Sequence, residues 1–86
     1  MTNEHTVYTH GRRLPDESDA EATQRIAREN IGGHARSVRA VYGVGDVVLV
    51  AADVETLTRL DRTRIAMVRD PNGDLAVMVL SPEIEP

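Results

Sequence analysis

No phenylalanine, tryptophan or cysteine occurs in this chain, and that absence limits its folding options more than any motif it carries. A core must be assembled from small aliphatic side chains, without large rings to fill space and without disulfides to staple it. Eleven Val, nine Ala, six Leu and four Ile among 86 residues suffice for one thin hydrophobic core. Residues 1–86 are therefore expected to form a single small domain, held by burial alone or by pairing with another copy.

The same absences remove chemistry. Without cysteine there is no thiol nucleophile and no thiolate zinc site. All ten basic residues are arginine, so Schiff-base catalysis and a Walker-type phosphate lysine are excluded. Uniform use of arginine, beside abundant Ala, Val and Gly, reads first as the codon bias of a GC-rich genome. A net charge of −4 argues against a generally basic nucleic-acid binder and leaves room for a local patch. The polar start, Met1-Thr-Asn-Glu-His5, lacks the apolar stretch of a signal peptide. The longest apolar runs, Val47–Ala52 and Leu75–Leu80, fall far short of the roughly 18 residues that span a bilayer. The expected setting is the cytoplasm, with no membrane partner.

Hydrophobic periodicity divides the chain. His5–His10 is rich in β-branched and aromatic residues and reads as a short edge strand or a disordered start. After the break at Gly11–Pro15, Ser18-Asp-Ala-Glu21 has the form of a capping box, and Gly32-Gly33 stands where a helix should stop. Ala20, Thr23, Ile26, Ala27 and Ile31 would share one weakly apolar face of that helix. Val38–Tyr42 and Asp46–Ala51 then read as strands joined by Gly43-Val44-Gly45. Asp53 is placed to cap a second short helix with Val54, Leu57 and Leu60 facing inward. Arg64–Arg69 and Asp74–Ser81 flank Asp70-Pro-Asn-Gly73, the clearest hairpin signal in the chain.

The order (β)-α-β-β-α-β-β implies an α+β fold, an antiparallel sheet of four to five strands with two helices on one face. Residues 1–4 and 82–86 are expected to be loose. Several strands are apolar on both sides, more than two alanine-rich helices can cover. The second face or an edge of the sheet is thus expected to meet another chain, most simply in a two-fold homodimer.

Catalytic constellations are missing. His5 and His10 fall on opposite faces of a strand, and His34 follows a helix stop, so no metal site is expected. Ser18 is a cap, while Ser37 and Ser81 lack a nucleophile-elbow context. Asp16, Glu17, Asp19 and Glu21 crowd a helix start, where the macrodipole favours them without any catalytic role. Gly43-Val44-Gly45 and Gly32-Gly33 lack the pattern of a phosphate loop, and no cofactor is expected.

Arginine carries the strongest functional signal. Through residue 39, six arginines balance six carboxylates, so the net negative charge lies wholly in the second half. Arg12 and Arg13 form a basic arm that, with Arg25, Arg28, Arg36 and Arg39 and doubled in a dimer, would contact DNA phosphates. Against this, Glu21–Arg25 and Arg25–Glu29 are spaced as salt bridges on a solvated helix face. Arg59, Arg62, Arg64 and Arg69 bracket the last hairpin without forming one patch. The reading that follows is a non-enzymatic protein-interaction or regulatory module acting as a homodimer and binding another protein. The alternative is a DNA-binding transcriptional regulator using the arginine arm and the first helix. A small-ligand site between helix and sheet ranks third.

Overall fold

The structure is a computed structural model that describes residues 4–81. The expectation of loose ends falls, except for Glu4, on residues outside that range. The fold is α+β: among the described residues, one five-stranded sheet and one α-helix, α1 (Asp19–Asn30), with short 3-10 turns. The strands are β1 (His5–Arg12), β2 (Arg36–Val44), β3 (Val47–Val54), β4 (Ile65–Arg69) and β5 (Leu75–Val79), in spatial order β2-β3-β1-β5-β4.

Local signals in the sequence place α1 and the β4–β5 hairpin, while the β2–β3 turn narrows to Gly45-Asp46, because Gly43 and Val44, expected in the connection, stay in β2 opposite Val48 and Val47. Ser18 accepts a hydrogen bond from the Glu21 backbone while the Glu21 carboxylate accepts one from the Ser18 backbone, a complete capping box. The helix closes at Ile31, and Gly32 follows at φ 113°. Its buried stripe is Ala22, Thr23, Ile26, Ala27 and Ile31; Ala20, expected there, is exposed. In the β4–β5 turn the Asp70 carboxylate accepts from the backbone of Asn72 and Asp74, and Gly73 takes φ 86°.

Three expectations need correction. The second helix is absent: Leu57–Arg59 and Arg62–Arg64 are single 3-10 turns, capped by Thr56 and Asp61. Val54, Leu57 and Leu60 recur every three residues with no apolar partner at the fourth. That spacing suits the three-residue repeat of a 3-10 turn, and three threonines nearby disfavour an α-helix.

The sheet is mixed, since β1 runs parallel to β5 while all other neighbours are antiparallel. And β1 is the central strand rather than an edge. It pairs with β3 over its full length, from His5 opposite Val54 to Arg12 opposite Val47. Its polar sequence conceals this role because Thr9 satisfies its buried hydroxyl within the fold. Thr9 Oγ1 donates to the Val79 carbonyl at 2.7 Å and accepts from Asn30 Nδ2 at 3.0 Å.

The core lies on one side of the sheet. Val7, Ala52, Val54 and Val79 pack with Ile31 and Leu60, and Val48 and Val50 pack with Ala22, Ile26 and Ala27. Alanines on α1 and Gly11 beneath Ile26 bring helix and sheet close, which compensates for the missing rings.

Candidate interaction surface

Strand alternation sends Tyr8, Leu49, Ala51, Val68, Ala76 and Met78 to the side away from α1. Among the described residues α1 packs on β1, β2 and β3 from the other side, and no helix covers this open face. Even so, Ala51, Ala76 and Met78 are buried. The reason is curvature. Tyr42 on β2 and Val68 on β4 stand at opposite edges of the strand order, yet both line one hollow of about 190 Å³. Tyr8, Leu49 and Met78 form the remaining apolar wall, and Arg69, Asp70 and Pro71 form the rim.

Both aromatic residues of the chain therefore meet in this hollow, although 33 residues separate Tyr8 from Tyr42. Tyr42 is 58% exposed. A hollow of this size is smaller than the roughly 300 Å³ of ordinary ligand pockets and suits a single anchoring side chain. The rim charge is uneven. Asp70 spends one carboxylate oxygen on the turn backbone, while Arg69 donates to the Gly73 carbonyl at 2.9 Å and has no carboxylate partner among the described residues.

His10 lies on the same open side, opposite Leu49. Burial lowers its pKa from 6.5, and its Nε2 is enclosed without a hydrogen-bond partner. His5 lies five residues back along β1 and on the opposite face, and no group of three metal-ligating side chains occurs among the described residues. Nor, among them, is any helix long and apolar enough to cross a membrane.

The arginines named as phosphate contacts do not form one free patch. Arg12 pairs with Asp46 at 3.1 Å, Arg13 with Asp19 at 3.4 Å, Arg36 with Glu55 at 3.0 Å and Arg39 with Asp53 at 3.5 Å. Arg25 bridges Glu17 at 2.6 Å and Glu29 at 2.9 Å and donates to the Arg12 carbonyl. These bonds raise the Arg25 pKa and hold Glu17 below its ordinary 4.5, chiefly through the Arg25 hydrogen bond and then the Leu14 backbone. Arg28 alone of the six has no ion-pair partner among the described residues.

No local sequence signal marks the tyrosine hollow. The only available signal was the scarcity of aromatic residues, which says nothing of their convergence. No protein-family model, curated protein or solved structure matches this chain.

Proposed function

We propose that the chain is a small, non-enzymatic protein-interaction module that acts as a homodimer and docks another protein on the open face of its sheet. One observation carries the reading: both aromatic side chains converge on an apolar hollow that no helix of the described chain covers. Buried aromatic anchors ringed by polar side chains are the usual composition of a protein interface. A regulatory role follows from such docking, because a chain of this kind acts by what it holds.

The DNA-binding alternative draws less support. Five of its six arginines already have a carboxylate within 4 Å. Releasing them for phosphate contacts would require breaking those pairs.

The test is paired capture from native lysate with nuclease present, using the natural chain and Tyr42→Asp. Circular dichroism establishes that the variant still folds. A stoichiometric protein bound by the natural chain and lost with Tyr42→Asp supports the reading. Identical capture by both, or none by either, counts against it. Nucleic acid that co-elutes without nuclease and falls away in salt would favour the arginine alternative instead.

A further inference from the structure

The two edges of the sheet are unlike. The β2 edge is irregular: its pairing with β3 shifts register twice, between Arg36 and Arg39 and between Ala40 and Tyr42, and Ser37 sits at φ 51°. Bulges and charged side chains of this kind protect an edge against pairing with another chain. The β4 edge has no bulge, and its one charged residue, Arg69, stands at its end. All five of its residues pair with β5 without a shift, no proline interrupts it, and Met67 at its centre is 60% exposed.

Backbone direction along β4 follows from its bonds to β5. Leu80 N donates to the Arg64 carbonyl at 2.7 Å, and Asp70 N donates to the Asp74 carbonyl at 2.8 Å. Antiparallel ladders alternate, so the groups of residues 64, 66, 68 and 70 face β5. Those of Ile65, Met67 and Arg69 then face outward.

We infer that the homodimer forms by antiparallel pairing of two β4 strands about a two-fold axis at Met67, joining the two sheets into one. The inference rests on the homodimer reading above and names the surface. In this register Met67 bonds Met67 of the second copy, and Ile65 and Arg69 exchange bonds across the axis. Every outward N–H and C=O of β4 is thereby satisfied. The register also sets Arg64 opposite Asp70 of the second copy, on both sides of the axis. Asp70 has a carboxylate oxygen to offer, since both of its turn bonds fall on the other one. Arg64 is held only loosely by Asp61, at 3.7 Å. Opposite charges directly across strands stabilise a pairing, so charge and hydrogen bonding select one register. The tyrosine hollow lies on the sheet face, and this pairing engages Asp70 of its rim.

The chain has no native cysteine, which makes a disulfide test unambiguous. Directly bonded antiparallel partners stand about 5.5 Å apart between Cα atoms, within the range a disulfide spans. Met67→Cys is expected to crosslink into a covalent dimer under mild oxidation, while Val44→Cys at the β2 edge stays monomeric on a reducing-agent-free gel. Light scattering over a concentration series is expected to show a dimer that Arg64→Glu weakens about tenfold, because two attractions become two repulsions. A dimer that persists with Arg64→Glu and leaves Met67→Cys uncrosslinked would overturn the β4 surface and leave self-association standing. A monomer at every concentration would overturn both.

Discussion

Gly11 and Ile26 meet at a separation that admits no side chain between them. A Cβ built on Gly11 would stand 2.7 Å from Ile26 Cγ1 and 3.0 Å from Cδ1. Ile26 is among the largest fully buried side chains, and its seat over β1 sets how near α1 lies to the sheet.

Gly11→Ala is accordingly expected to destabilise the fold by about 1–3 kcal/mol through overpacking. Urea denaturation checks this, and Ile26→Ala supplies the control. In the Ile26→Ala background the alanine at position 11 should cost much less, because the opposing atoms are gone. Equal costs in both backgrounds would show that the contact is not the cause.

Thr9→Val keeps the shape of a fully buried side chain and removes its hydroxyl. The Val79 carbonyl loses a donor and Asn30 Nδ2 loses an acceptor. The expected cost is about 1–3 kcal/mol, whereas Thr9→Ser should retain most of the stability. Chemical denaturation of the three proteins decides it, and a Val variant as stable as the natural chain would contradict the argument.

Glu17 ties the segment before α1 to Arg25, and its pKa is lowered in the folded chain. A carboxylate depressed by folding adds stability above its unfolded pKa and loses it as pH falls through the folded value. Glu17→Gln should therefore unfold at lower urea than the natural chain at pH 7. The gap should close on acidification well below pH 4.5, when both side chains are neutral. A gap of constant size across that range would assign the loss to packing instead.

His10 gives the same sign in a different window. Burial lowers its pKa below 6.5, so the unfolded chain binds the proton more tightly. Stability is full above 6.5 and declines as pH falls through that region towards the folded value. His10→Gln should flatten the difference in urea midpoint between pH 7.5 and pH 5.5. An unchanged difference would place the titration elsewhere.

Much of the local structure is legible in the sequence. The Ser18–Glu21 box, the glycine after α1 and the Asp70–Gly73 turn depend on sterics and hydrogen bonds spanning a few residues. The polar β1 strand reads as an edge because its burial is licensed by partners far along the chain, Val79 and Asn30. The candidate site was less legible still. The Arg25–Glu29 pair is legible from its i,i+4 spacing, yet Arg12, Arg13, Arg36 and Arg39 are held by carboxylates that no helical spacing pairs with them.

Backbone preference and near neighbours settle the α+β class, where the helix begins and ends, and the Asp70–Gly73 turn, so all three are legible in the sequence, whereas the β2–β3 turn falls at Gly45-Asp46, later than its glycines imply. Tertiary structure decided that β1 lies at the centre, that β5 joins it in parallel, and that Leu57 and Leu60 sit in a segment of 3-10 turns. It also decided that the sheet curls until Tyr8 and Tyr42 share one hollow. Those outcomes depend on which distant side chains can be buried together, and no short window of sequence contains both partners.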